Sequence, residues 1–137
     1  MSVDEKTIGA MREALDDEYK ARATYQGVID RFGPVRPFVN VIEAEERHAN
    51  ALLRLFERFG IEPPKDRWAG QIPAPSSLAE ACKAGVEAEI ENAAMYERLL
   101  AQVGDAKVRD VLTRLQQASQ QRHLPAFRRC AERRSGV

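Results

Sequence analysis

The 137-residue chain lacks several sequence features that are typical of particular classes of protein. It has only two cysteines, no Cys-x-x-Cys pair, no apolar run long enough to span a membrane, and no long segment with strand alternation. Lys and Arg number 21, as do Asp and Glu, and this balance argues against a general affinity for nucleic acid or an anionic membrane. The length suits one domain, residues 1–137, with a real core.

The first residues are charged and amphipathic and lack the apolar core of a signal peptide, which predicts a cytoplasmic protein. Cys82 and Cys130 are interpreted as small buried residues in their reduced form, although a single disulfide between them is an alternative. Arginines cluster near the end of the chain, at positions 122, 128, 129, 133 and 134. A solvated helix face is favoured over a binding patch for them.

Glycines, prolines and capping residues predict four long helices. The predicted spans are 4–31, 37–59, 77–104 and 105 into the 130s. Capping boxes at Ser2/Glu5 and Ser77/Glu80 open the first and third, and Pro125 should kink the fourth. The links between helices 1 and 2 and between helices 3 and 4 are short, but a long, proline-rich link joins helices 2 and 3. This pattern predicts an all-α four-helix bundle with a long crossover between helices 2 and 3.

Each helix carries an apolar seam with alternating spacings of three and four residues, and polar residues interrupt every seam. Glu18 interrupts the first, Glu45 with His48 the second, Glu89 the third and His123 the fourth. Both glutamates of helices 1 and 3 are followed seven residues later, on the same face, by a tyrosine. The stretches "EYKARATY" (18–25) and "EIENAAMY" (89–96) echo each other, as do "EERH" (45–48) and "QQRH" (120–123). The chain is therefore interpreted as a duplicated helix pair.

Carboxylates in a core need compensation, because an unpaired buried charge costs several kcal/mol or more and like charges repel. Arg22 lies on the first seam, but a single guanidinium cannot balance three carboxylates. One or two divalent metal ions can. Oxygen and imidazole ligands suit iron, manganese or zinc.

With these motifs in place, the sequence resembles the ferritin-like superfamily near rubrerythrin, in an uncharacterised bacterial branch. The family pattern has one Glu from each of two helices and a Glu-x-x-His from each of the other two. "DEYKARATYQ", "AEERHANAL" and "ASQQRHLPAF" carry the resemblance, which covers nearly the whole chain. The Cys-x-x-Cys knuckles of rubrerythrins are missing, and so is the electron relay that they provide.

The resemblance implies that Glu18, Glu45, His48, Glu89 and His123 are metal ligands, with Glu45 bridging two ions. Gln120 stands where the family has a second bridging Glu, so the second ion is expected to bind less tightly or not at all. Three further side chains are expected to contact the ligands from behind or to pack in the bundle: Tyr25, Tyr96 and Gln120.

The function implied by the resemblance is binding of iron, as one or two ions, with ferroxidase-like or peroxide-reducing chemistry and with oxygen or peroxide as the partner. Manganese and zinc are alternative metals. A non-redox metal-binding module and a metal-free interaction protein, its glutamates protonated or paired with Arg22, are alternative functions. A homodimer is also considered, on the basis of apolar residues outside the seams such as Val28, Val41 and Val111.

Overall fold

The computed structural model describes residues 3–134 and contains helices and no strands within that range. α1 spans Glu5–Phe32, α2 Phe38–Phe59, α3 Leu78–Leu100, α4 Ala106–Ala118 and α5 Leu124–Arg134. A π-helical turn, Ser119–His123, joins α4 to α5, so that these three segments form the fourth long helix of the bundle. The prediction of an all-helical four-helix bundle is confirmed. None of the described helices is long and apolar enough to cross a membrane.

The helix ends follow local chemistry and differ from the predictions in detail. Asp4 caps α1 by accepting a hydrogen bond from the Thr7 amide, whereas the expected cap, Ser2, lies outside the described residues. Ser77 caps α3 and Asp105 caps α4, as predicted. α3 ends at Leu100, before the predicted boundary at Gly104.

The link between α2 and α3 crosses from one end of the bundle to the other along α1. Arg67 pairs with Asp16 near the middle of α1 at 2.9 Å, and Trp68 packs against the neighbouring core and donates from Nε1 to Asp16 at 3.1 Å. Further along, the Ile72 carbonyl oxygen would lie 2.9 Å from a Cβ on Gly27, so only glycine admits this close crossing. The crossover lets α2 and α3 run in the same direction.

The core consists of two apolar clusters, one toward each end of the bundle. One contains Met11 and Leu15 of α1 with Leu52, Phe56, Leu99 and Leu112, and the other contains Tyr25 and Val28 with Phe38, Cys82, Phe127 and Cys130. In the second cluster Phe127 lies directly against α3, where a Cβ on Gly85 would come within 2.6 Å of its ring. The polar seam residues lie between the two clusters.

Cys82 of α3 and Cys130 of α5 form a disulfide, with Cα atoms 5.6 Å apart, a separation typical of such bonds. The interpretation of the two cysteines as reduced thiols is therefore wrong, and the alternative of one disulfide is confirmed. The cytoplasmic location stays a prediction.

The residues on which the dimer was considered do not form an exposed face. Val28 and Val41 are buried inside the protomer, and Val111 packs, partly buried, against the core. Ile90 is the one large apolar side chain that is exposed within residues 3–134. The homodimer stays a prediction without support from these valines.

Candidate metal site

Five side chains from four helical segments meet between the two apolar clusters. Glu18 comes from α1, Glu45 and His48 from α2, Glu89 from α3 and His123 from the π-helical turn. Only 1–2% of each of the three glutamates is exposed. The structure thus brings together all five residues that the sequence predicted as ligands.

The five residues form two overlapping groups that share Glu45. Glu18, Glu45 and His48 can each place one ligand atom within 4.8 Å of the others, and so can Glu45, Glu89 and His123. His123 Nδ1 lies 3.2 Å from Oε1 of both Glu45 and Glu89. His48 Nδ1 lies 3.4 Å from Glu18 Oε2 and 3.9 Å from Glu45 Oε1. Oxygen and imidazole nitrogen in this arrangement suit a divalent transition metal.

One carboxylate oxygen in the cluster lacks a hydrogen bond. Glu18 Oε2 is buried and is the one such side-chain atom without a hydrogen-bond partner among the described residues. Buried polar atoms in folded proteins almost always have a partner, because leaving one unpaired costs about 1–3 kcal/mol. A cation held by Glu18, Glu45 and His48 would remove this cost, so the donor set fits a metal ion.

Two tyrosines orient the carboxylates across the duplicated halves. Tyr96 of α3 donates to Glu18 Oε1 at 2.5 Å, and Tyr25 of α1 donates to Glu89 Oε2 at 2.6 Å. Burial raises the pKa of both hydroxyls well above the usual value, and the nearby glutamates raise it further, so both remain donors. Each tyrosine therefore supports the glutamate of the other helix pair, as expected for residues that contact ligands from behind.

The carboxylates interact strongly with one another. Burial raises the pKa of Glu45 well above its usual value, and the charges of Glu18 and Glu89 raise it further. Burial acts in the same direction on Glu18, but its interactions with the neighbouring Glu45 and His48 outweigh it and lower the pKa of Glu18 to about 2. A bound cation would act in the opposite direction, because it favours the ionised form of the carboxylates that hold it.

The fourth helix reaches the cluster through its π-helical turn. Ser119 and His123 of this turn are buried, and the Ser119 hydroxyl donates to Glu89 Oε1 at 2.8 Å. Gln120 is exposed, and no hydrogen bond joins it to the cluster. Pro125 follows this turn directly, so the helix departs from regular α-geometry just before the proline, whereas the kink itself stays a prediction.

Two further residues near the cluster were not predicted from the sequence. Asn92 donates to Asp17 at 2.6 Å, and burial, then the charges of Glu18 and Glu89, raise the pKa of Asp17 to about 6 despite that hydrogen bond. Asn92 could have indicated this contact from the sequence, because it is a polar residue on the seam of α3, one turn after Glu89, and a buried amide needs a hydrogen-bond partner.

Arg22 does not reach the glutamates, because it pairs with Asp66 at 3.0 Å. The metal-free alternative therefore cannot rely on Arg22.

Comparison with known proteins supports the fold and leaves the activity open. Residues 8–72 match the family described as "Uncharacterized protein domain (DUF2202)", a stretch that contains Glu18, Glu45 and His48. No curated protein matches the chain. A crystal structure of hypothetical protein MJ0754 from Methanococcus jannaschii DSM 2661 has a TM-score of 0.88 and 20% identity, covering 98% of this chain and 85% of that one.

A second solved structure has a similar fold. The conserved hypothetical protein rv2844 from Mycobacterium tuberculosis has a TM-score of 0.79 and 17% identity, covering 93% of this chain and 91% of that one. Identities this low show the fold alone. The chain is therefore an all-helical bundle similar to these two proteins over almost its whole length, with a buried Glu/His cluster that could hold a metal ion.

Proposed function

We propose that this protein is a ferritin-like metal protein that binds iron, as one or two ions, and transfers electrons from it to peroxide or oxygen. The observation that carries the proposal is the pair of Glu/Glu/His groups that share Glu45 inside the bundle. When bound as two ferrous ions, iron would supply two electrons that, with two protons, convert hydrogen peroxide into two molecules of water.

The residues of the chain have separate tasks in this proposal. Glu18, Glu45 and Glu89 would hold the metal and favour its ferric state, because anionic oxygen ligands stabilise the higher charge. Tyr25 and Tyr96 fix the outer carboxylates through their short hydrogen bonds. The apolar clusters on two sides shield the three glutamates from water, which strengthens the electrostatic interactions among them.

A non-redox site for a single zinc ion is the alternative, and the charge count favours it as much as the pair of iron ions. Three carboxylates and two neutral imidazoles carry a charge of about −3, so one divalent ion leaves −1 and two leave +1. Ser119 supplies a hydroxyl where a fourth carboxylate would favour the second ion. One ion and two ions are thus equally well compensated.

The first experiment measures metal content and redox activity. Elemental analysis of protein purified without added metal identifies the native ion. Anaerobic loading with ferrous iron, followed by peroxide or oxygen, should then produce the near-ultraviolet absorbance of ferric iron bound by carboxylates. Tightly held equimolar zinc without ferrous oxidation would favour the alternative, and loaded iron that does not oxidise would overturn the redox proposal.

Replacement of the shared glutamate tests the site itself. Glu45→Gln should abolish metal binding by both groups, because each contains Glu45. Glu46→Gln is the matched control, since Glu46 is the exposed neighbour on the same helix. In metal-free protein, Glu45→Leu should raise the free energy of unfolding, because it removes a buried acidic group that is repelled by the charges of Glu18 and Glu89. Unchanged metal content in Glu45→Gln would reject the site.

A further inference from the structure

A cleft of about 570 Å³ lies between α2 and the α4–α5 helix and reaches the metal site. Its inner end is formed by His48 and His123, the two imidazoles of the Glu/His cluster, and five arginines line its walls. We call it the arginine cleft; its arginines are Arg36, Arg47, Arg122, Arg129 and Arg133. No carboxylate of the described residues lines it. The chain is neutral overall, so this positive charge is local.

The five arginines lack anionic partners of their own. All five side chains are exposed, and no ion pair joins any of them to another residue within 3–134. Among the other arginines of residues 3–134, ion pairs are formed by Arg22, Arg67, Arg98 and Arg114. Other arginines outside the cleft are also without an ion pair, so what distinguishes the five is that they line one concave surface. Guanidinium groups gathered around a concave surface repel one another, and an anion that they share relieves this repulsion.

The duplication of the chain places one Arg-His dipeptide on each side of the cleft. In Arg47-His48 and in Arg122-His123, the histidine directs Nδ1 toward the buried carboxylates, while the arginine is exposed at the cleft wall. The repeated unit therefore presents a metal-ligand candidate and a cationic donor next to each other. A molecule held by the two arginines lies beside both imidazoles.

The size and lining of the cleft indicate what it binds. Hydrogen peroxide and oxygen are uncharged and need no cavity of this volume, whereas about 300–1,000 Å³ is typical of sites for organic ligands. Between the arginines, the walls are formed by small apolar side chains: Pro37, Val41, Ala44, Ala118 and Ala126. Arginine recognises carboxylates and phosphates by paired hydrogen bonds.

We propose that the arginine cleft binds a small organic anion, whose carboxylate or phosphate group contacts Arg47 and Arg122 and whose apolar part lies along the small side chains. Binding of the anion requires the arginines and no metal, so it goes beyond the proposed function and the two proposals can fail separately.

The binding experiment is calorimetric titration of metal-free protein with hexyl phosphate, hexanoate and hexanol, which share one alkyl chain and differ in the polar group. The two anions should bind saturably and hexanol should not, and the stronger anion identifies the preferred group. Arg47→Gln/Arg122→Gln should weaken the stronger anion at least about tenfold. The control Arg12→Gln/Arg31→Gln, with the same loss of charge on α1, should change it by less than about twofold.

The place of binding can be read from the two histidines of the chain. Both line the inner end of the cleft, so the imidazole C–H signals of His48 and His123 should both shift when either anion is added to metal-free protein. These signals assign the anion to the cleft independently of affinity.

Each outcome has a defined meaning. Absence of saturable anion binding, equal loss in both double variants, or anion binding that leaves both histidine signals unmoved would overturn the cleft proposal. Association of protein copies without binding of hexyl phosphate or hexanoate would identify the face as an interface between chains, which also overturns it. Anion binding that persists in Glu45→Gln while metal binding is lost would support the cleft and separate its success from that of the metal proposal.

Discussion

The two helix pairs of the bundle, α1–α2 and α3 with α4–α5, carry the same motif and use it differently. In the first pair, Glu45 and His48 lie one turn apart on a regular helix, and both reach the cluster. In the second pair, the corresponding Gln120 is exposed, and a π-helical turn brings Ser119 to Glu89 instead. The first pair therefore supplies the shared carboxylate for both groups, and the second supplies a hydroxyl.

The pairs also differ in how they are held together. The disulfide between Cys82 and Cys130 joins the two helices of the second pair, while the first pair has only noncovalent packing. The two pairs also contact each other through the Tyr–Glu hydrogen bonds, in which the tyrosine of each pair donates to the glutamate of the other. The second pair can thus have Gln120 where the first has Glu45, because Glu45 itself belongs to both groups.

The covalent difference between the pairs should have the largest effect. Reduction of the disulfide, which closes a loop with a sequence separation of 48, should lower the free energy of unfolding by up to about 4 kcal/mol. Denaturant unfolding with and without reductant measures this. Cys82→Ala/Cys130→Ala is the control, because reductant should not alter its stability. Equal stability of the oxidised and reduced wild type would contradict the prediction.

A charge present in only one pair should give the next largest effect. The pKa of Asp17 is raised from 3.8 to about 6, so in metal-free protein the folded state binds a proton that the unfolded state has released between these values. Stability should therefore fall as the pH rises from about 4 to about 6, by on the order of 2 kcal/mol. Asp17→Asn should flatten this part of the profile. The second pair has Ala88 at the equivalent position, which makes Ala88→Asn a suitable control.

The crossed tyrosines allow the two metal groups to be tested one at a time. Tyr96→Phe should weaken metal retention by the group containing Glu18, and Tyr25→Phe by the group containing Glu89, each about tenfold. Each change should also cost about 1–2 kcal/mol of stability, because a buried carboxylate loses a donor. Competition with a chelator, followed by metal analysis, measures retention. If both variants lost the same ion, the crossed assignment would be rejected.

The smallest expected effect distinguishes the two candidates in the π-helical turn. Ser119→Ala should lower stability by about 1 kcal/mol by removing the donor to Glu89. Gln120→Ala, one residue away and exposed, should change stability and metal affinity by little, within about 0.5 kcal/mol. A larger effect of Gln120→Ala than of Ser119→Ala would show that Gln120 contacts the cluster after all.

The fold was predictable because its signals are local and repeated. The spacing of the apolar residues predicted the helices, and Ser77 and Asp105 predicted where two of them begin. The long link predicted the crossover. The polar residues on the seams gave all five members of the cluster, since a charge at a core position requires a partner from another helix. The two tyrosines followed from their position two turns beyond each glutamate.

Other features depend on contacts that helix periodicity does not contain. Gln120 was expected near the cluster from the family pattern, which has a glutamate three residues before the histidine. In the structure Ser119, four residues before His123, contacts Glu89 instead. The pairing of Arg22 with Asp66 depends on the path of the link, which sequence spacing does not specify. The cleft was not predictable from the spacing of the arginines in α5, because that spacing does not show that Arg47 of α2 and Arg36 just before α2 line the same cleft.

The geometry of the cluster also depends on a position that carries no side chain. Gly85 lets the Phe127 ring lie against α3, and Phe127 follows His123 by four residues on the same side of its helix. An added methyl group at position 85 would overlap the Phe127 ring, so the ring and the helix that bears it, with His123, would have to move outward. A single hydrogen atom, about one helical turn from Glu89, thus keeps the fourth helix close to the buried carboxylates.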